Sequence, residues 1–409
     1  MENRVREGAQ DLLGQQVRRT LGVGVLLVLC VALASCTPSV LSGRGRFPSS
    51  PASQTPQPQG SQPATTPAGV GATSGEPLAG SETTGPAGGL CVPVIVYHHV
   101  LPTASNFIAI TPALFEQELR YIKSAGFTAI TASDLSDALA GRAQLPEKPI
   151  LITFDDGRER QIRYAVPLLQ RYGLTATFFV YPSAIGNTAG TFMSRSDLKR
   201  LVRMGFDVES HTVSHKSMLR KPGESGSQYD ARLADELVQS KYSIEQLTGR
   251  PVVALAYPFG YYDTYSAQAL ASAGYKLAFT TDDGTNIVGV TPAFYLHRIT
   301  VFRKQSFLDW QTLVDAGPLT VTQQLPAPGQ AVLSTDQVSC MIPPLQSGEH
   351  LSVVVNQNPV KCDTVASSTG MTVRIPASVL SRGFNLVSVR VDGSSGSRIT
   401  AWGFTDFKR

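Results

Sequence analysis

The sequence predicts an α/β fold, a parallel sheet covered by helices, followed by a small all-β unit. Three observations carry this. Four segments, "FEQELRYIKSAGFTAI", "AVPLLQRYGLTATFFV", "DLKRLVRMGFDVES" and "AQALASAGYKLAFT", share one grammar: apolar residues at helical spacing, a glycine (Gly126, Gly173, Gly205, Gly274) where a left-handed C-cap belongs, then a short apolar strand. The strands are nearly continuous in apolar residues, as strands covered on both faces must be, so the sheet is a barrel or is doubly wound. From about Gly317 the pattern becomes strand after strand, "EHLSVVVNQ", "MTVRIPASVL", "GFNLVSVRVDG" and "RITAWGFTDF", between Gly, Ser and Asn turns, which predicts a small β-sandwich over 317–409.

At 409 residues the chain exceeds one ordinary core. The net charge of +4 is dispersed, with no arginine-rich run, and nucleic-acid binding is excluded on that ground. Residues 1–36 contain Arg18-Arg19, the apolar run "LGVGVLLVLCVALA" and "LASC" ending at Cys36, the three regions of a signal peptide. "LASC" resembles a bacterial lipobox. The resemblance implies a lipid on Cys36 and a membrane anchor at the outer face of the cell. Residues 37–90 are almost all Pro, Ser, Thr, Gly, Ala and Gln, a composition that buries no core and predicts a disordered tether. With Cys30 and Cys36 in the leader, three cysteines remain. Export makes a Cys340–Cys362 disulfide the expected pairing, with Cys91 left over or pairing with either.

Within 91–316, Ser194 and Asp197 form a capping box that starts the third helix. The polar residues collect where strands end. "VPVIVYHHV" ends on His98 and His99, "PILITFDDG" on Asp155 and Asp156, "FDVESHTVSH" on His211 and His215 and "VVALAYPFG" on Tyr257-Pro258-Phe259, while "FYLHRITV" carries His297 and Arg298. Five of the six histidines fall there and only His350 lies elsewhere, as expected if the chemistry sits on the C-terminal face of a parallel sheet.

Adjacent carboxylates at the end of a buried strand repel each other and lose hydration, so Asp155 and Asp156 require a compensating cation, a shared proton or exposure. His211 and His215 present two imidazoles to one point if their segment starts a helical turn, and one carboxylate completes a facial triad for a divalent metal. One Asp then ligates while the other remains a free base, an arrangement suited to hydrolysis.

"YHHV", "TFDDG", "SHTVSH", "AYPFG" and "LHRI", in this order between about Val92 and Phe307, resemble the polysaccharide deacetylases of carbohydrate esterase family 4, the NodB-homology domain, and most of all its poly-N-acetylglucosamine de-N-acetylase branch. The resemblance implies a distorted (β/α) barrel that removes acetyl groups from N-acetylated polysaccharide with a divalent metal, commonly zinc. It implies Asp155 as general base, Asp156, His211 and His215 as metal ligands, and the backbone N–H of Phe259, after the Pro258 turn, as oxyanion donor. Tyr257, Pro258, Arg298 and His98 are expected along the sugar groove. The family's general acid corresponds to His297, though out of the usual spacing, with His98 and His99 as competitors. The arginine that usually holds the base is replaced by Ala256, leaving Arg158 or Arg298 to take over. An acetyl-xylan-type O-deacetylase or a catalytically silent glycan-binding lipoprotein would share the fold. A glycan platform on the C-terminal unit would need exposed aromatics, and Trp402 is its only tryptophan.

Overall fold

Strand Cys91–Tyr97 is buried from Val92 onward and lies near one end of a nine-stranded sheet. The computed structural model describes residues 89–186 and 190–407, so the leader, the Cys36 lipid site and nearly all of the tether lie outside the described residues. The sheet order runs Thr285–Ile287, Cys91–Tyr97, Pro149–Phe154, Thr177–Val180, Asp207–Ser210, Ala254–Ala256, Leu277–Phe279, and all but the first of these are parallel neighbours. Each of the four helix–glycine–strand segments folds as its pattern predicts, and the four glycines adopt φ between 61° and 84°. The Ser194–Asp197 capping box is present.

The sheet curls back on itself. Leu296 bridges Phe279 at one edge, and Ile299–Thr300 pairs in parallel with Ile95–Val96 at the other, so the Leu296–Thr300 segment is the seam between the two. Side-chain size sets which face turns inward. Val92, Val94, Leu151, Ala254, Ala256, Phe279 and Leu296 fill the barrel interior, while Ile95, Tyr97, Ile152, Leu255 and Tyr257 pack outward against the helices.

From Gly317 the chain forms a six-stranded and a four-stranded sheet sharing one apolar core. Val338, Cys340, Val373 and Ile375 enter it from one sheet, and Val353, Val387, Val389, Trp402 and Phe404 from the other. Trp402 is buried, with its indole N–H donating to Pro326 O, so it provides no exposed platform. Cys340 and Cys362, expected as a disulfide, are free thiols, as is Cys91.

Candidate active site

Residues on the interior face of the strands continue past the strand ends into one polar cluster. Asp155 follows Leu151 and Thr153 on the same face, so its carboxylate rises from the barrel interior. It is 2% exposed and lies in a guanidinium fork: Arg298 Nη1 donates to Oδ1 at 2.7 Å and Nη2 to Oδ2 at 2.8 Å. Arg298 is itself wholly buried, and its Nε donates to Thr280 O. Burial alone would raise the Asp155 pKa, but Arg298, His211 and His98 override it and hold the carboxyl far below the ordinary range.

Asp156 turns away from Asp155 because its backbone is left-handed, with φ 74°. Its two oxygens face different partners. Oδ2 accepts from Arg158, while Oδ1 lies 3.5 Å from His215 Nε2 and 3.9 Å from His211 Nε2. Ligand atoms of Asp156, His211 and His215 all fall within 4.8 Å of one another. His211 hydrogen-bonds through Nδ1 to Ala256 O at 2.7 Å, which fixes the ring and leaves Nε2 facing the cluster. Burial lowers the pKa of His211 to about 4 and lowers that of His215, so both imidazoles are neutral at neutral pH, the form that ligates metal. The donor set, two neutral imidazoles and one carboxylate oxygen converging with a fixed tautomer, fits a divalent cation with open positions.

The segment between the two histidines is a turn, not the start of a helix. Thr212 and His215 both have positive φ, and Glu236 clamps the loop by accepting from the Val213 and Ser214 N–H groups at 2.9 Å each and from the Ser214 hydroxyl. Gln161 plays a matching part beneath the other wall, donating to both His98 O and Asp155 O. Neither residue carried a local signal, because Glu236 acts on a loop more than twenty residues away and Gln161 joins the ends of two strands that meet only in the fold.

Phe259 sits in a tight turn with φ 62°, closed by Gly260 N–H to Tyr257 O and Tyr261 N–H to Pro258 O; the Phe259 N–H takes no part in that closure. Its ring packs on His215 at 4.8 Å between centroids. Pro258 is buried within this turn.

Three expectations need correction. Tyr257 is buried among the helix-facing residues, with its hydroxyl donating to Phe294 O, because Ala256 holds the inward position next to it. Arg298 cannot meet a substrate, since burial and Asp155 use it completely, and it is this residue, not Arg158, that replaces the missing arginine. His297 alternates with Arg298 along the seam and takes the opposite face, where its ring lies over Gly284 while its backbone N–H donates to Asn286 Oδ1. His98 instead stands beside the cluster, where the Gln161 side chain ties its carbonyl to that of Asp155. His99 lies beside it in a cavity of about 450 Å³ walled also by Arg158 and Arg160.

If the ligand set is as drawn, Asp156→Asn, His211→Ala and His215→Ala each weaken zinc binding by more than about 100-fold, since even lost outer-shell partners cost ten- to a hundredfold. Calorimetric zinc titration of each variant checks this, and parent-like affinity in all three would remove the triad.

A curled, mostly parallel sheet carries the His-His-Asp cluster at the C-terminal ends of its strands, and the chain resembles known proteins over this region. Residues 142–278 match the family model described as polysaccharide deacetylase. YxkH of Bacillus subtilis (strain 168), whose name places it among the polysaccharide deacetylases, is 28% identical over 193 residues, 47% of this chain and 65% of that protein. The poly-beta-1,6-N-acetyl-D-glucosamine N-deacetylase of Staphylococcus aureus is 23% identical over 207 residues, 47% of this chain and 68% of that protein. The Streptococcus pyogenes deacetylase PplD, solved with acetate, shares the fold at a TM-score of 0.50 and 23% identity, covering 56% of this chain and 99% of PplD.

Proposed function

We propose that the chain is a metal-dependent de-N-acetylase of polysaccharide built from N-acetylglucosamine. The observation that carries this is the division of labour between adjacent aspartates: Arg298 holds Asp155 beside the His-His-Asp cluster, while Asp156 turns into it. The similarity to a poly-N-acetylglucosamine deacetylase supports the substrate class. A divalent cation, zinc by preference for this donor set, would polarise the acetyl carbonyl and acidify a water when bound.

The remaining chemistry falls to the chain's own groups. Asp155, fixed by the Arg298 fork, accepts the proton of the attacking water. The Phe259 N–H donates to the oxygen that becomes negative as the carbonyl turns tetrahedral. His98 supplies the proton to the departing amine, which leaves far less readily than an ester's alcohol. A lipid on Cys36 would hold this activity at the membrane's outer face, with 37–90 giving it reach; loss of membrane association in Cys36→Ala checks that anchor.

The acid assignment makes a direct prediction. His98→Ala should lower kcat/KM on an N-acetylglucosamine oligomer by about 100-fold, within the range of general-acid contributions, and spare an activated acetate ester. His297→Ala should leave both within a few-fold of the parent; the reverse pattern would restore His297. Acetate release from N-acetylglucosamine oligomers, measured beside O-acetylated xylan, tests the function itself. Release from xylan alone would replace the amidase with an esterase, and release from neither would favour a glycan-binding protein.

A further inference from the structure

A row of aromatic rings leads away from the metal cluster. Phe259 packs on His215, Tyr261 lies 5.9 Å from Phe259 between centroids, and Phe384 lies 4.8 Å from Tyr261 at an interplanar angle of 31°. Phe259 is 56% and Tyr261 39% exposed, while Phe384 is half-buried and packs on the edge of the barrel core, so the row runs from open surface to the rim of the C-terminal region. A bulky residue with positive φ is uncommon, yet Phe259 holds its ring outward in that conformation between His215 and Tyr261.

The far end of the row belongs to the C-terminal β region and is held rigidly. A Cβ on Gly403 would fall 2.0 Å from Phe384 Cζ, so the ring lies across the bare glycine of the neighbouring strand. Tyr262 braces the same point: its hydroxyl donates to Asp282 at 2.5 Å and accepts from the Gly403 N–H at 2.7 Å, while its ring meets Phe384 edge-on. The hydroxyl therefore ties the C-terminal strand to the barrel loop that follows the Phe259 turn.

We infer that Tyr261 and Phe384 form a glycan-binding ledge, on which sugar units next to the reacting one rest as the chain passes from the metal cluster onto the C-terminal β region. This rests on the deacetylase reading. The apolar C–H face of a β-linked pyranose matches the face of an aromatic ring, and the row starts at a proposed metal ligand, so a bound glycan meets it without a gap. The C-terminal region thereby becomes part of the substrate site, through Phe384 and not through the buried Trp402.

The test is chain-length dependence in the full-length, zinc-loaded protein. Tyr261→Ala should lower kcat/KM on a β-linked N-acetylglucosamine pentamer by about fivefold, in line with one aromatic contact, and leave the dimer and a small activated acetate ester unchanged. Tyr261→Phe should restore the pentamer. Equal losses on dimer and pentamer would mean that the Tyr261–Phe384 contact only joins the two regions, and an unchanged pentamer would also overturn the ledge. Calorimetric binding of the pentamer to metal-free parent and Tyr261→Ala reads the ledge without turnover. A parent that binds the pentamer more tightly than the variant, yet releases no acetate, would retain the ledge and refute the deacetylase reading alone; a parent that does not bind it refutes the ledge.

Discussion

Asp155→Asn should abolish nearly all acetate release while leaving zinc bound. Asparagine is close in size to aspartate but accepts no proton at neutral pH, so the loss should approach 1,000-fold, about the middle of the range for general-base catalysis. Zinc affinity should stay within a few-fold of the parent, because the cluster of Asp156, His211 and His215 does not include this side chain. Activity assays paired with zinc titration separate the two roles. A variant that keeps most of its kcat, or loses its zinc, would show the aspartates to be assigned the wrong way round.

The second large effect is on stability. Arg298→Met leaves Asp155 buried with its strongest partner gone, and stranding one member of a buried ion pair costs about 3–5 kcal/mol. The pH dependence carries the signature. In the parent the folded-state pKa of Asp155 lies below its unfolded value, so the stabilisation is full at neutral pH and is lost only as pH falls through the folded value, in strong acid. In the variant burial dominates and raises the carboxyl, so protonation relieves the folded state. The stability gap between parent and Arg298→Met, measured by denaturant unfolding of metal-free protein, should therefore narrow as pH is lowered from neutral to mildly acidic. A gap independent of pH would mean that the cost is lost packing and not a stranded charge.

Much of the site was legible because βα grammar fixes strand ends. Asp155 and Asp156 follow the buried strand Pro149–Phe154, His211 follows the strand Asp207–Ser210 with His215 in the turn beyond it, and parallel strands bring all four to one end of the barrel. What the sequence left undecided was facing. On strands apolar on both sides, period-two alternation says that Leu296 and Arg298 share a face and His297 takes the other, but not which face is inner. One clue was present in "ALAY": small Ala254 and Ala256 suit the crowded barrel interior, and large Leu255 and Tyr257 the space beneath the helices. Followed through, it would have removed Tyr257 from the groove. The supports offered no such clue. Glu236 braces a loop more than twenty residues earlier in the chain, and Gln161 joins two strand ends through their carbonyls; both connections exist only in the folded barrel.

The proposed hydrolysis depends on a divalent cation held by Asp156, His211 and His215. The direct test is acetate release from an N-acetylglucosamine pentamer by chelator-treated protein, with zinc restored stepwise. Negligible release is expected without metal and full recovery at one equivalent of zinc, with no recovery in Asp156→Asn at the same concentration. Chelator-resistant release from protein shown to be metal-free, or equal recovery in Asp156→Asn, would contradict it.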